Sequence, residues 1–375
     1  MTPSNFEFSD AVNMSRIISP QIRAICQVPA RETNRTVARS ERIVSIYSSR
    51  KHWEEILMFK QRKTYGPQTL GSLAFGLSMI VGAISAQAGT VPGPLVDVNW
   101  LKANKDKVLL LDVRKDTASF TKEGHIPGSV LVPWKSVREN KKVMGKTIHG
   151  MLPAKDHFNA LMRKAGASNN SAIVIVTRGH NAPQVAFGTR LYWQLKYYGH
   201  DDVAMLDGGF AAWKAGKNPV SKDAVKAPKP GTFAATAERR ELLATTEDVA
   251  MDVKNGSAKF YDARGYDQYL GLFYKKKILT EGGHIPGGKF AGVSTFLAHS
   301  GPKKFAPISK IKMALKGIGA DGSKKDVAFC NTGHMASGLW FIMHELGGDK
   351  NAKLYDGSMH AWTTTGHKAT AMKAE

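Results

Sequence analysis

Cys330 stands in a stretch whose residue types favour nucleophilic chemistry. The apolar run 327–329 predicts a short buried strand that ends at this cysteine. Residues 331–333 favour a tight turn, and the apolar spacing over 336–346 predicts a helix. Between a strand and a helix start, backbone N–H groups and the helix dipole stabilise negative charge, which lowers the pKa of a thiol. The pattern therefore predicts a reactive thiolate rather than the commoner buried structural cysteine.

The loop after this cysteine resembles the active-site loop of the rhodanese sulfurtransferases. From Cys330 to Ser337 it reads Cys-Asn-Thr-Gly-His-Met-Ala-Ser, which fits a Cys-x-x-Gly-x-x-Ala pattern. The resemblance implies that Cys330 is catalytic and that an active-site loop follows it, formed by Asn331, Thr332, Gly333, His334, Met335 and Ala336. It also implies that the thiolate takes a sulfur atom from a donor, holds it as a persulfide and passes it to an acceptor, with no metal or organic cofactor.

The chain repeats itself, which indicates two copies of one domain. The paired stretches are 109–114 with 260–264, the Gly-His-Ile-Pro-Gly runs 124–128 and 283–287, and the Asp-Gly turns at 207–209 and 356–358, each followed by a tryptophan. Short apolar strands alternate with helical stretches in both copies. The sequence therefore predicts an α/β fold with two tandem domains, each a mainly parallel sheet flanked by helices. Over residues 94–366 this doubled pattern resembles tandem-domain rhodaneses and mercaptopyruvate sulfurtransferases.

The two copies differ at the position of the nucleophile. The first copy carries Thr177 and Arg178 where the second has Cys330 and Asn331, so the first domain is expected to lack thiolate chemistry. The resemblance implies that such a domain packs against the active one and helps to shape its site. The second copy also holds nine additional residues around Leu272–Thr280, which are rich in lysine and predict an exposed loop.

The residues that bind an anionic donor are less clear from the sequence. Asn331 and Thr332 are neutral, which predicts weak binding of a doubly charged donor such as thiosulfate. The remaining candidates for contact with the donor are Asp262, Arg264, His334, a lysine of the Leu272–Thr280 loop and, from the first copy, Arg178.

His125 and His284 invite a catalytic interpretation because they recur in both copies. One of these copies has no nucleophile, so the recurrence favours a structural role with hydrogen-bonded imidazole rings. The histidines show no metal-ligand spacing with cysteine, and no metal site is predicted.

The formal charge of the chain is +22, spread as single lysines and short pairs. No arginine-rich helix or aromatic platform accompanies this charge, so nucleic acid is not an expected partner. A basic surface of this kind attracts small anions, which fits an anionic sulfur donor.

A basic segment, a short apolar run and an Ala-Gln-Ala site ending at Ala88 predict a signal peptide over residues 58–88. The mature protein is then expected in the periplasm or outside the cell, without stable membrane insertion, although an uncleaved anchor is an alternative. Residues 1–57 are interpreted as a misread start or a disordered extension. The predicted domains are 89–217, without a nucleophile, and 238–375, which is catalytic, joined by a linker over 218–237.

The resulting hypothesis is a sulfurtransferase that moves sulfane sulfur from thiosulfate or a similar donor to cyanide or a thiol, with a redox protein as a further acceptor. Two alternatives stay open, a 3-mercaptopyruvate sulfurtransferase and a persulfide carrier or binding module without fast turnover. A cysteine phosphatase is disfavoured, because such enzymes need a longer loop closed by an arginine, and here the loop ends at Met335–Ser337.

Overall fold

Two parallel sheets carry the fold, and the computed structural model describes residues 90–224 and 226–372. The predicted signal peptide and the residues before it lie outside this part of the chain, so the expected export stays a prediction. In the described residues no helix combines the length and the apolar character that a membrane span needs.

The strands are β1 (Leu95–Val96), β2 (Leu109–Arg114), β3 (Val130–Pro133), β4 (Glu139–Val143), β5 (Lys146–Met151), β6 (Ile173–Val176), β7 (Val203–Leu206), β8 (Leu243–Ala244), β9 (Ala258–Asp262), β10 (Lys289–Phe290), β11 (Lys325–Phe329) and β12 (Ala352–Tyr355). The helices are α1 (Val98–Asn104), α2 (Ser119–Lys122), α3 (Lys155–Lys164), α4 (Ala182–Tyr197), α5 (Gly209–Ala215), α6 (Thr246–Asn255), α7 (Tyr266–Tyr269), α8 (Ile308–Ile318), α9 (His334–Trp340) and α10 (Ser358–Thr364). A π-helical stretch, Phe341–Gly347, continues α9.

The two large sheets have the same topology. The first has the strand order β1-β7-β6-β2-β3, and the second has β8-β12-β11-β9-β10 with corresponding strands at corresponding places. All pairings within the two sheets are parallel. The predicted fold class, two tandem α/β domains with mainly parallel sheets, is therefore confirmed.

The register of the second sheet decides what lies beside the cysteine. Phe329, the last residue of β11, pairs with Asp262, the last residue of β9. The N–H of Ala263 then donates to the carbonyl of Phe329 at 2.9 Å. Cys330 and the residues after Asp262 consequently leave the sheet side by side, at the edge where the carboxyl ends of the parallel strands meet.

The two domains share one hydrophobic core, because α4 of the first packs against α9 of the second. Leu191 and Leu339 are both fully buried in this cluster. The hydroxyls of Thr189 and Ser337 lie 3.0 Å apart within it and form a hydrogen bond. The loop after Cys330, residues 331–333, is named the active loop here. It leads directly into α9 and therefore lies against the first domain.

An antiparallel hairpin, β4–β5, extends from the first domain to the second. Ile148 of β5 is fully buried in a hydrophobic cluster whose other members include Tyr355 and Met359 of the second domain. Directly after the hairpin, the N–H of Leu152 donates to Asp356 Oδ2 at 2.6 Å. The hairpin therefore joins the two domains beside the active loop.

The predicted linker and the predicted exposed loop each contain one buried side chain that anchors the segment. Phe233 of the linker is 1% exposed, and its N–H donates to the carbonyl of Ala167 at 3.1 Å. In the Leu272–Thr280 loop, Leu279 is 3% exposed, whereas the three lysines at 275–277 are exposed.

Candidate active site

Cys330 follows β11 directly and is 1% exposed. Three loop residues separate it from α9, which begins at His334, so the chain follows the strand, turn and helix order that the sequence predicts. Gly333 has φ +68°, and a Cβ built there would lie 2.6 Å from Asp356 Oδ1 and 2.7 Å from Arg190 Nη1. Both the positive φ and the close approach require glycine at this position.

Ser358 closes the loop from the opposite side. Its Oγ accepts hydrogen bonds from the N–H groups of Cys330 and Gly333, both at 3.1 Å. The hydroxyl lies 2.7 Å from the carbonyl of Tyr355, its nearer acceptor, and 3.9 Å from Cys330 Sγ. In the sequence, residues 356–358 read only as a turn. A comparison of the two copies could have identified Ser358, because the first copy has Gly209 at the equivalent position.

Arg264 and Asp262 form a buried ion pair at 2.6 Å, in which each residue is at most 3% exposed. Arg264 also donates to the carbonyl of Gly283 at 2.7 Å and to Asn331 Oδ1 at 3.3 Å. Asn331 in turn donates from Nδ2 to Gln268 Oε1 at 2.8 Å. These contacts use the guanidinium to hold the loop rather than to face a ligand.

The first domain repeats this ion pair without a nucleophile beside it. Arg114 and Asp112 lie 2.7 Å apart with both side chains fully buried, and Arg114 donates to the carbonyl of Gly124 at 3.0 Å. Because the arrangement recurs in a domain that lacks the cysteine, we interpret the pair of Asp262 and Arg264 as structural.

Arg190, from helix α4 of the first domain, lies beneath the active loop. Its Nη1 lies 2.6 Å from Asp356 Oδ1 and donates to the carbonyl of Gly333 at 3.3 Å. Both charged side chains are at most 3% exposed, and the guanidinium stacks on the Trp193 ring. Sequence reasoning missed this residue, because nothing in α4 indicates that its buried arginine reaches the other domain.

A second arginine of the first domain, Arg138, lies at the start of the hairpin and is half-buried. Its guanidinium lies 4.9 Å from the centre of the Trp134 ring, and its Nε donates to the carbonyl of Gly150 at 3.2 Å. Burial, together with the positive charge of Arg190, lowers the pKa of Arg138 to about 10, while the charges of Asp356 and Cys330 act in the opposite direction. The Trp134 ring under this guanidinium lies 4.7 Å from the His334 ring, so Arg138 places a cation beside the active loop.

His334 is held in an aromatic contact between the domains. Its ring stacks on Phe187 at 4.7 Å and lies at the same distance from Trp134, and Nε2 donates to the carbonyl of Pro183 at 2.9 Å. Burial, helped by the charge of Arg138, lowers the pKa of His334 to about 3. The ring is therefore neutral at physiological pH, and it does not supply the positive charge that the sequence analysis considered for it.

Arg178, the first-domain candidate for donor binding, is engaged elsewhere. Its Nε donates to Glu123 Oε2 at 2.9 Å, and in the repeat it takes the position of Asn331. In the part of the chain that the structure describes, no hydrogen bond or ion pair joins it to the active loop. In the Leu272–Thr280 loop, Lys276 lies over the Tyr274 ring of the same loop, and none of the lysines at 275–277 forms a described hydrogen bond or ion pair with the active loop.

The other loop residues differ in exposure. Thr332 and Met335 are half-buried, and Met335 packs against the shared core. Ala336 is fully buried. Thr332 is therefore the residue of the turn with the most open side chain, since Asn331 is only 7% exposed.

The recurring histidines have the structural role that the sequence predicts. His125 Nδ1 lies 3.0 Å from the carbonyl of Phe120, and His284 Nδ1 lies 2.7 Å from the carbonyl of Tyr269. Each ring stacks on the side chain of the same residue. Across residues 90–224 and 226–372, no group of three histidine, cysteine, aspartate or glutamate side chains is arranged to hold a metal ion.

These features define a two-domain α/β protein in which a cysteine loop of one domain is completed by side chains of the other. Residues 97–216 and 245–365 both match the rhodanese-like domain family. The chain belongs to this family of sulfurtransferases.

Curated relatives match most of this chain over nearly their own full length. A protein of Mycolicibacterium smegmatis, provisionally named thiosulfate sulfurtransferase, is 28% identical over 279 residues, which cover 72% of this chain and 94% of the relative. A protein of Haloferax volcanii with the same provisional name is also 28% identical over 279 residues, covering 72% of this chain and 92% of the relative.

Two solved structures show the same fold. The Tum1 protein of Saccharomyces cerevisiae has a TM-score of 0.63 at 22% identity and covers 73% of this chain and 96% of its own. The anaerobic ergothioneine biosynthesis enzyme of Chlorobium limicola has a TM-score of 0.64 at 18% identity and covers 74% of this chain and 70% of its own. At these identities the likeness concerns the fold alone.

Proposed function

We propose that the protein transfers sulfane sulfur from thiosulfate to a thiophilic acceptor through a persulfide on Cys330. The observation that carries this proposal is the position of the thiol. It lies at the carboxyl end of a central strand, in a loop closed by Ser358, with the cation of Arg138 beside that loop. The provisional names of the relatives support the choice of thiosulfate.

In the first step the Cys330 thiolate attacks the outer sulfur of thiosulfate. A bond forms between the two sulfur atoms, the sulfur–sulfur bond of thiosulfate breaks, and sulfite leaves with the bonding electron pair. The N–H groups of the loop and the start of α9 stabilise the negative charge that stays on the terminal sulfur.

In the second step an acceptor nucleophile attacks the terminal sulfur of the persulfide. With cyanide, a carbon–sulfur bond forms, the bond to Cys330 breaks, and thiocyanate leaves while the thiolate is restored. No net oxidation or reduction of the protein occurs over the cycle, so no organic cofactor is required. A thiol acceptor takes the sulfur atom as its own persulfide in the same way.

The positive charge for the donor comes from the first domain. Arg138 is half-buried and lies beside the active loop, because its guanidinium faces the Trp134 ring, which contacts His334. Arg190 is buried beneath the loop and paired with Asp356, so its charge is already compensated. Arg138 therefore has N–H groups to offer the sulfonate oxygens of thiosulfate, and it compensates for the neutral residues Asn331 and Thr332.

Steady-state production of thiocyanate from thiosulfate and cyanide tests the proposal. We expect turnover with thiosulfate and a lower kcat/KM with 3-mercaptopyruvate, because thiosulfate carries the larger negative charge for Arg138 to bind. Efficient turnover of 3-mercaptopyruvate together with poor use of thiosulfate would instead support the mercaptopyruvate alternative. A stoichiometric persulfide without turnover on either donor would indicate a sulfur carrier.

A further inference from the structure

The first domain has a cavity of about 620 Å³ at the place where a nucleophile is missing from its sheet. The cavity lies beside the residue that follows Thr177, at the carboxyl end of β6, and beside the start of α5. Its lining residues are Lys122, Glu123, Arg178, His180, Phe210, Ala211, Lys214, Val220 and Lys222. The volume falls in the range of small-molecule binding sites.

The second domain shows whether the basic charge of this cavity is common to both copies of the repeat. The two copies can be aligned here by equivalent hydrogen bonds: the N–H of Phe210 donates to the carbonyl of Thr177, and the N–H of Met359 donates to the carbonyl of Cys330. The backbone bridges from His125 to Ser221 and from His284 to Thr370 align the next segment. On this alignment Lys122, Arg178, Lys214 and Lys222 correspond to Glu281, Asn331, Thr363 and Ala371. The basic lining is therefore a property of the first domain and not of the fold.

Three of the four cations of the cavity have no ion-pair partner among the described residues. Lys122, Lys214 and Lys222 take part in none of the ion pairs found in the described chain. Glu123 is the one acidic residue of the lining, and it binds Nε and Nη2 of Arg178. This contact fixes the guanidinium and leaves its Nη1 without a described partner. The lining thus holds four cations against one carboxylate.

The geometry points to a binding site for a multiply charged oxyanion in this cavity, which we name the first-domain basic cavity. Three lysines and a fixed guanidinium can donate charge-assisted hydrogen bonds to a tetrahedral oxyanion. The same chemistry is presented by a free sulfur oxyanion and by the phosphate groups of a larger molecule. Phe210 and Val220 add apolar surface beside the charges. The site does not require Cys330, so it is independent of the proposed sulfur transfer.

Calorimetric titration of the full chain with sulfate, and separately with pyrophosphate, tests this inference. Ionic strength is held constant with chloride, because screening alone changes the binding of anions. The test variant is Lys214→Ala with Lys222→Ala. The matched control is Lys107→Ala with Lys254→Ala, which removes the same charge from exposed positions outside the cavity. We expect saturable binding to the wild type and to the control, and an affinity lower by about tenfold or more in the test variant.

Equal affinity in all three proteins, or no saturable binding to the wild type, would overturn the inference. An anion held at the catalytic loop contributes equally to the three titrations, because none of the four lysines belongs to that loop. Tighter binding of sulfate identifies a free sulfur oxyanion as the ligand, and tighter binding of pyrophosphate identifies a phosphate-bearing molecule. Thiocyanate production is expected to be the same in the test variant and in the wild type, which separates this site from the catalytic one.

Discussion

The thiol of Cys330 is the group on which the proposed reaction depends, and it is the one free cysteine among the described residues. We expect Cys330→Ser to abolish thiocyanate production, because an alkoxide oxygen does not form a persulfide. The side chain is 1% exposed and the hydroxyl is similar in size, so the thermal unfolding midpoint is expected to stay close to that of the wild type. Residual turnover above background in a folded variant would assign the chemistry to another group.

Arg138 is expected to bind the donor, and Arg138→Gln tests this role. Hydrogen bonds to charged groups contribute ~1.5–3 kcal/mol, so the KM for thiosulfate should rise by about tenfold or more. Partial exposure of the side chain lowers this figure. The matched control is Arg178→Gln, which removes an arginine that is paired with Glu123 in the first domain. A rise in KM for the control and not for Arg138→Gln would restore the sequence-based assignment of Arg178.

The sequence indicates Cys330 as the candidate nucleophile and gives no sign of Arg138 and Arg190 beside it, for a physical reason. The thiol, its turn and its helix are adjacent in the chain, so local preferences for turn and helix residues reveal them together. Arg138 and Arg190 reach the loop only because α4 packs against α9 and because the hairpin crosses between domains. Such contacts depend on tertiary packing, which single-sequence patterns do not contain.

Strand β11 begins beside a pair of buried carboxyls. Asp326 is fully buried, and its Oδ1, like Oδ2 of Asp349, has no hydrogen-bond partner among the described residues. Burial, reinforced by the neighbouring carboxyl of Asp349, raises the pKa of Asp326 from 3.8 to about 7. The folded protein therefore binds more protons than the unfolded chain between these two values.

This difference sets the sign of a pH effect. The native state holds the additional proton on Asp326. The contribution of Asp326 to the free energy of unfolding therefore falls as the pH rises from about 4 to about 7, and it stays low above that range. Asp326→Asn imitates the protonated carboxyl, and its gain in stability over the wild type should be larger at pH 8 than at pH 5. Urea unfolding at both values measures this, and an equal difference at the two pH values would contradict it.

The β4–β5 hairpin is expected to stabilise the second domain although it belongs to the first. Ile148 is fully buried in the core of the second domain, so Ile148→Ala should lower the free energy of unfolding by about 2–5 kcal/mol. Met144, at the tip of the same hairpin, is 57% exposed, and Met144→Ala serves as the control with little expected change. Similar urea midpoints for the two variants would show that the hairpin does not anchor the domains.

For the whole molecule, the sequence predicted the number of domains and their class because the repeat itself carries that information. Asp112 and Asp262, each followed two residues later by an arginine, occupy the same place in the two sheets, as the repeated pattern indicates. The family resemblance implies that the domains pack together, but it does not show that Leu191 and Leu339 supply the contact, since both helices are apolar on faces that would also suit separate domains. The active loop depends on this shared core for its position.

The ion pair of Arg190 and Asp356 joins the two domains beneath the active loop. We therefore expect the position of the loop to depend on this contact between the domains. Each charge is buried and lies 2.6 Å from the other, so loss of one leaves the other uncompensated. We expect Arg190→Met and Asp356→Asn each to cost about 3–5 kcal/mol, with a smaller cost for the double variant than for the sum of the two. The amide oxygen of asparagine can still accept from Leu152, which limits the change to the charge. Urea unfolding of the four proteins measures the coupling. Additive costs would show that the two charges stabilise the structure independently, and the loop would then be positioned by the apolar contacts of α4 and α9 alone.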